Sequence, residues 1–295
     1  MQYIDKDSNR GDGDKITKAY LRKIFINEEG YQRYPVDYND SFRKLPKGKE
    51  DTYYKQMTQV LLDNQSHYCC YCMRRLTGDG DTTLEHIIPQ SVDVDSVGYY
   101  QRDVFPMLGD QHIELSDLFS KEINPDLSRL PHTVCYDNLV ASCHGTFPVV
   151  KRGQCEEKAG HSCNHPRGDK PILPLFFLNN IDTIVLYKTN GEVYANEESD
   201  WFDAANELVC NAKLNWGTLK DIRCLWYVLR DKELSDIIDE GNERESRLNL
   251  IQDNLWLTKI STERIEEIKN KFTKDQYWEC FLLYYWFHSY NWDVA

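Results

Sequence analysis

The fold is decided by two short stretches, HYCCYC at residues 67–72 and TTLEHIIP at residues 82–89. Both are rich in aromatic or β-branched side chains, which is typical of strands. The Gly-Asp-Gly-Asp sequence at 78–81 between them is typical of a turn. We therefore predict two short strands joined by that turn.

The first stretch also carries a metal-binding spacing. Cys69 and Cys72 are separated by two residues, so two thiolates can hold one ion from a single turn. Tetrahedral zinc needs two further ligands from elsewhere in the chain. Cys143 and Cys163 are the candidates, which predicts one structural zinc site that joins distant segments.

Other interpretations of these cysteines remain open. Cys155 or His144 could supply a ligand in place of Cys163 or Cys143, and the four thiols could be ordinary core residues. A redox Cys-x-x-Cys motif would open a helix after a strand, and the turn at 78–81 contradicts that arrangement. Five cysteines are predicted to be ordinary buried thiols: Cys70, Cys135, Cys210, Cys224 and Cys280.

Composition limits the class of protein. With 295 residues, 41% hydrophobic and 28% charged, the chain is long and apolar enough for a folded core. Its longest apolar runs are far shorter than the roughly 20 residues that span a bilayer. The first residues have no basic and apolar leader pattern, so we expect a cytoplasmic protein without membrane contact. Thiols stay reduced there, which favours metal binding over disulfides.

The net charge of -13 opposes non-specific binding to nucleic acid, and the acidic excess is concentrated after residue 180. Any surface that binds a polyanion should therefore lie in the N-terminal part. A charge run of Arg43, Lys44, Lys47 and Lys49 occurs there, which we interpret as a solvated loop.

Periodicity divides the chain into three segments. Residues 1–66 are predicted to be helical at 14–26 and 51–65, and residues 67–180 form a core with an insertion at 91–134. Residues 181–295 begin with a hairpin at 184–194, whose Asn190-Gly191 pair marks the turn. Helices are then predicted at 201–213, 219–239, 244–271 and 274–290. The last helix carries an aromatic stripe through Trp278, Tyr285 and Trp286, which is typical of core and less often of a partner-binding surface.

Four elements follow one another along the chain: Cys-x-x-Cys at 69–72, Glu-His-Ile-Ile-Pro at 85–89, Asn-Leu-x-x-Ser-Cys at 138–143 and Cys-Asn at 163–164. In this order they resemble the zinc-containing HNH (ββα-metal) endonucleases. The resemblance implies an α+β fold with a zinc-stabilised ββα-metal core, a helical N-terminal segment and a mostly helical C-terminal region. It also implies hydrolysis of phosphodiester bonds in DNA.

The resemblance also assigns roles. His86 would be the general base, because an imidazole near neutrality can take a proton from water. Glu85 and Asn164 would hold a catalytic Mg²⁺ or Mn²⁺, since these ions prefer oxygen ligands. His165 is the nearest substitute for Asn164. Asn138 would brace the loop that orients the base. Taken singly, these residues would be a buried imidazole and turn or cap residues.

Further segments look like the HNH subunit, often called PtuB, of retron and Septu-type anti-phage systems. They include residues 136–143, the run at 170–175 and the hairpin with Asn190-Gly191, so that the resemblance covers about residues 1–230. In that family the nuclease assembles with an ABC-type (PtuA-like) ATPase, which implies a hetero-oligomer. This chain departs from the pattern at Ser91–Val134 and beyond Asp231, which puts the geometry of the partner contact in doubt.

Two alternatives remain at this point. The rival to a nuclease is a zinc-stabilised, non-catalytic DNA-binding or scaffold subunit, which the net charge favours. The stretch 144–170 carries His144, His161 and His165 with several Lys and Arg residues, and it either steers phosphate or simply keeps a loop soluble. The sequence contains no Walker A motif, so any ATP binding through a P-loop would belong to a partner.

Overall fold

The structure, a computed structural model, describes most of the first 228 residues. The described residues are 1–27, 30–31, 36–46, 51–78, 80–92, 94–108, 130–145, 147–151, 154–158, 162–170, 172–228 and 292–293. The helices predicted at 244–271 and 274–290, with their aromatic stripe, lie outside these residues.

The described elements are short helices and small sheets, which confirms the α+β class. In chain order they are α1 (Arg10–Phe25), β1 (Ile26–Asn27), β2 (Gly30–Tyr31), a π-helix (Tyr38–Phe42), α2 (Tyr53–Asn64), β3 (Thr82–His86), α3 (Val94–Tyr99), a second π-helix (Tyr100–Val104), a 3₁₀ turn (Tyr136–Asn138), β4 (Leu139–Cys143), β5 (Phe147–Lys151), β6 (Gln154–Lys158), α4 (Asn164–Arg167), a 3₁₀ turn (Leu175–Phe177), α5 (Ile181–Ile184), β7 (Val185–Lys188), β8 (Val193–Ala195), α6 (Phe202–Asn211), α7 (Gly217–Val228) and β9 (Trp292–Asp293). Among the residues described, no helix has both the length and the apolar character needed to cross a bilayer.

Both helices predicted in the N-terminal segment are present, as α1 and α2. Their apolar faces pack into the core, where Tyr20 and Leu61 are fully buried. The Thr52 hydroxyl caps α2 by accepting the Lys55 N–H at 3.3 Å, which satisfies one of the donors left open at a helix start. Amphipathic spacing was therefore a sufficient signal here.

The pairing of the strands differs from the prediction. β3 forms, but its antiparallel partner is β4, with Thr82 opposite Cys143 and His86 opposite Leu139. The stretch 67–72 is instead part of a reverse turn that is closed by a single bridge between Tyr68 and Arg75. The prediction of two strands joined by 78–81 was wrong, because strand propensity does not reveal which distant segment supplies the partner.

The hairpin predicted around Asn190-Gly191 is confirmed as β7 and β8. Gly191 has a φ of +83°, which glycine adopts without strain. β9 adds a parallel pair to the other edge of β7, to give the order β8-β7-β9. The predicted helices at 201–213 and 219–239 correspond to α6 and α7 over their described parts.

One hydrophobic cluster contains side chains from all three segments of the sequence-based division. Tyr20, Tyr71 and Tyr187 are all within it and are at most 1% exposed. The insertion at 91–134 begins with short helices, and its residues 93 and 109–129 lie outside the described part. The segment boundaries at 66 and 180 stay a prediction.

Candidate functional site

Four cysteines form a buried cluster that could hold a metal ion such as zinc. The Sγ atoms of Cys69, Cys72, Cys143 and Cys163 all lie within 4.8 Å of one another. Zinc–sulfur bonds of about 2.3 Å in a tetrahedron require sulfur atoms about 3.8 Å apart. The Sγ atoms of Cys72 and Cys143 are 3.8 Å apart, so this pair has the separation that zinc requires. The predicted ligand set is therefore brought together.

The first two cysteines lie on a tight turn that docks on β4. The Cys69 N–H donates to the Arg74 carbonyl at 2.8 Å, and the Met73 N–H donates to the Cys69 carbonyl at 3.0 Å. The Gln65 side-chain amide makes two hydrogen bonds with the backbone of Ala141 in β4. Its Oε1 accepts the Ala141 N–H at 2.7 Å, and its Nε2 donates to the Ala141 carbonyl at 2.9 Å. This fixes the turn relative to Cys143 at the end of the same strand.

The fourth cysteine is held in a strained backbone conformation. Cys163 has a φ of +60°, which is uncommon outside glycine, and its N–H donates to the Ala212 carbonyl at 2.7 Å. The preceding Ser162 is in close contact with Gly145, where a Cβ would lie 1.9 Å from the Ser162 carbonyl oxygen. Glycine at 145 thus lets the segments that carry Cys143 and Cys163 approach each other.

The surroundings favour negative charge on one of the sulfurs. Burial alone would raise the pKa of the Cys69 thiol. Hydrogen bonds from the Cys143 and Cys163 thiols lower the pKa by more than burial raises it, so the pKa is well below its usual value. The backbone N–H of Cys143 also donates to the Cys69 Sγ at 3.3 Å. Such donors stabilise a thiolate, which is the form that binds a metal.

The alternative ligands can now be compared. His144 is exposed and is not part of the cluster. The side chain of Cys155 lies outside the described part of the chain. Cys70 and Cys135 are buried outside the cluster, as predicted for ordinary core thiols. The prediction for Cys210 was wrong, because this thiol is exposed on α6.

A cleft of about 260 Å³ opens beside the C-terminal end of β3, and His86 lies in its wall. The imidazole Nε2 is 2.9 Å from the Thr133 carbonyl oxygen. A carbonyl only accepts, so Nε2 carries the proton and Nδ1 is left as the basic nitrogen. Burial lowers the pKa of His86 to about 4, against the opposing effect of the Thr133 bond, so the ring is neutral at pH 7.

Asn138 fastens the two loops on either side of this imidazole. Its Oδ1 accepts the Ile88 N–H at 2.7 Å, and its Nδ2 donates to the carbonyls of Ile88 at 3.0 Å and His132 at 2.8 Å. The side chain is fully buried with its amide satisfied on both sides. Asn138 therefore joins the loop after His86 to the one that contains Thr133.

Glu85 is engaged in a way that the sequence did not reveal. Its Oε1 accepts from the Tyr71 hydroxyl at 3.0 Å and from the Arg167 guanidinium, and both carboxylate and guanidinium are buried. Burial raises the pKa of Glu85, while the charge of Arg167 opposes that rise. This ion pair competes with any cation for the carboxylate.

Arg167 links α4 to the end of β3. Its guanidinium donates to the backbone carbonyls of His86 at 2.5 Å and Ile87 at 2.7 Å. Its Nε donates to the backbone carbonyl of Lys170 at 3.2 Å. With only 2% of its surface exposed, Arg167 is not available to steer phosphate in solution. The one signal in the sequence was its place three residues after Asn164, where one turn of helix brings it back toward the strand.

Asn164 is the first residue of α4 and lines the same cleft as His86. The structure thus brings the predicted base and the predicted amide ligand to one place. Asp169, which the sequence did not single out, also lines the cleft, and its carboxylate accepts a hydrogen bond from the Ser91 hydroxyl at 2.8 Å. Asn138 reaches the cleft only through the backbone it fastens.

No family model and no curated protein matches this chain. The function therefore rests on the chemistry of the thiol cluster and the cleft. In the basic stretch at 144–170, His165 and Lys170 are exposed, whereas His161 and the side chains of Lys151 and Lys158 lie outside the described part.

Proposed function

We propose that the chain is a metal-dependent endonuclease of the HNH type that hydrolyses phosphodiester bonds of DNA. The observation that carries this proposal is the convergence of His86 and Asn164 on one cleft, next to the four-thiol cluster. The strand β3, whose antiparallel partner is β4, and the short helix α4 both contribute residues to that cleft, and this chain order supports a ββα-metal arrangement.

His86 accepts a proton from the attacking water at Nδ1. The Thr133 carbonyl holds the Nε2 proton, so the ring keeps one tautomer and one orientation. Asn138 maintains this arrangement by tying the two loops together, which keeps the base in position.

The cleft offers oxygen ligands for the catalytic cation. The Asn164 amide is available there, and the Asp169 carboxylate lies in the same wall, while Glu85 would have to share its carboxylate with Arg167. Mg²⁺ or Mn²⁺, when bound, neutralises charge on the phosphate and on the leaving oxygen. Glu85 as a ligand remains part of the proposal.

Zinc at Cys69, Cys72, Cys143 and Cys163 would be structural. Four thiolates fill a tetrahedral shell and leave no position for water, which is the pattern of a closed site. The ion would tie the turn at 67–76 and the end of β4 to the residue before α4. It thereby fixes both the strand that carries His86 and the helix that begins with Asn164.

The biological setting that we propose is an anti-phage defence complex in the cytoplasm. A chain with a net charge of -13 approaches DNA poorly by itself, so a partner with a basic surface would supply the missing attraction. An ABC-type (PtuA-like) ATPase is that partner, and the complex is a hetero-oligomer. Energy coupling, where present, would belong to the ATPase.

One observation favours a second candidate function. Because Arg167 neutralises Glu85 in a buried pair, the cleft has lost part of the negative charge that would attract a divalent cation. A non-catalytic, zinc-stabilised DNA-binding or scaffold subunit of the same complex accounts for that pairing.

Plasmid cleavage separates the two. The purified chain, alone and co-expressed with an ABC-type ATPase encoded beside it, is incubated with supercoiled plasmid and Mg²⁺, Mn²⁺ or no added cation. A nuclease produces nicked or linear plasmid that depends on the cation, and co-elution in size-exclusion chromatography reports the complex. Intact plasmid under every condition would favour the scaffold.

A further inference from the structure

A row of rings leads from His86 to the outside of the cleft. The Tyr38 ring lies against His86 with centroids 4.6 Å apart, and the Tyr54 ring is 6.3 Å from Tyr38. The Arg43 guanidinium carbon then lies 5.0 Å from the centre of the Tyr54 ring. All four side chains line the cleft. The row ends at a cation over an aromatic face, which is a favourable contact.

The backbone that carries this wall has an unusual geometry. The Arg43 N–H donates to the Tyr38 carbonyl at 3.1 Å, a bond that closes the π-helix and sets the two residues one turn apart. Isolated π-turns occur frequently at functional sites. The Tyr20 hydroxyl braces the turn through bonds to the Ser41 hydroxyl at 2.5 Å and the Asp37 carbonyl at 3.1 Å. The cleft-facing turn is thus held in place from the core side.

The charges around the cleft single out Arg43. Arg167 is neutralised by Glu85, and its guanidinium is buried. Lys44 pairs with Asp40 at 2.5 Å and does not line the cleft. Among the cleft-lining residues that the structure describes, Arg43 is therefore the exposed cation, and its guanidinium lies over a ring face rather than against a carboxylate.

We infer that Arg43 binds a backbone phosphate of the nucleic acid as it enters the cleft. The inference rests on the proposed nuclease function and names the residue that receives its substrate. A guanidinium can bind phosphate with two parallel N–H bonds, and the contact with the Tyr54 ring keeps the guanidinium beside the cleft. The charge run at 43–49, interpreted from sequence as a solvated loop, thus contributes one residue with a different task.

The test is the salt dependence of DNA binding. A fluorescein-labelled 30-bp duplex is titrated with the wild-type chain, Arg43→Gln or the control Lys44→Gln, each in complex with the ATPase partner. No divalent cation is added, and anisotropy is recorded at several KCl concentrations. Each phosphate contact contributes about -0.9 to the slope of log K against log salt, where K is the association constant. Arg43→Gln should make that slope less negative by about 0.9 and weaken binding about 8-fold at 0.1 M salt. Lys44→Gln should keep the wild-type slope.

Cleavage kinetics give a second readout. Arg43→Gln should raise KM with little change in kcat, because a phosphate contact outside the reacting bond holds substrate and transition state alike. Arg43→Lys should keep the wild-type slope but not the full affinity, since it keeps the charge and loses the two parallel N–H bonds. A wild-type slope in Arg43→Gln, or an equal loss in Lys44→Gln, overturns the assignment of Arg43 and leaves the nuclease function standing. A wild-type complex with the ATPase partner that neither binds nor cuts DNA overturns both.

Discussion

The buried pair of Arg167 and Glu85 makes a sharp prediction about stability. Arg167→Met keeps much of the side-chain volume but removes the charge, so Glu85 loses its counter-ion at a site that is 4% exposed. Removing one partner of a buried ion pair costs about 3 to 5 kcal/mol. The carbonyls of His86 and Ile87 also lose their donor. We expect the free energy of unfolding to fall by about 4 kcal/mol, a large part of the roughly 5 to 15 kcal/mol of an ordinary domain.

Urea unfolding followed by circular dichroism, with zinc present throughout, measures this loss. Arg102→Met is the matched control, because Arg102 is exposed and should change stability by no more than about 0.5 kcal/mol. The double variant Arg167→Met with Glu85→Gln should recover at least about 2 kcal/mol relative to the sum of the single variants, because no unpaired charge remains buried. A loss below about 1 kcal/mol in Arg167→Met, or additive single effects, would refute the reasoning.

Two further predictions concern the thiol cluster and a buried lysine. Cys72→Ser should abolish zinc binding in elemental analysis and cost much of the fold. Cys135→Ser, which is also buried but lies outside the cluster, should retain about one zinc per chain. Wild-type protein that contains no zinc after purification without chelators would contradict this prediction. Burial lowers the pKa of Lys6 to about 7. The unfolded chain then binds more protons than the native one between about pH 7 and pH 10, so this residue makes stability rise with pH across that window. Lys6→Met should remove that rise, which is seen as a difference between the two pH profiles of urea unfolding; identical profiles would rule it out.

The parts that the sequence predicted are those with a local signal. The amphipathic spacing of α1 and α2, the Asn190-Gly191 turn and the Cys-x-x-Cys spacing each lie within a few residues of one another. Cys143 and Cys163 lie far from this spacing in the sequence, and they were predicted because a tetrahedral zinc site demands two ligands beyond Cys69 and Cys72. Local chemistry of this kind needs no knowledge of the tertiary fold.

The parts that it missed depend on long-range contacts. β4 pairs with β3 across the whole insertion, and nothing in either strand specifies that partner. Arg167 looked like one charge in a basic loop, and only its contact with Glu85, far away in sequence, makes it a core residue. The π-helix at 38–42 is a single turn whose residues do not follow the 3.6-residue hydrophobic spacing that indicates an α-helix. Each miss is a case in which tertiary packing outweighs local preference.

The central claim is that His86 performs chemistry in the cleft. The most direct measurement compares plasmid cleavage by the wild type, His86→Ala and the control His144→Ala, each with the ATPase partner and Mg²⁺ or Mn²⁺. His144 is exposed and lies outside the cleft, so its variant should cut at the wild-type rate and retain zinc. His86→Ala should retain zinc and fold but cut about 100-fold to 10,000-fold more slowly. Cleavage at the wild-type rate by His86→Ala would contradict the account.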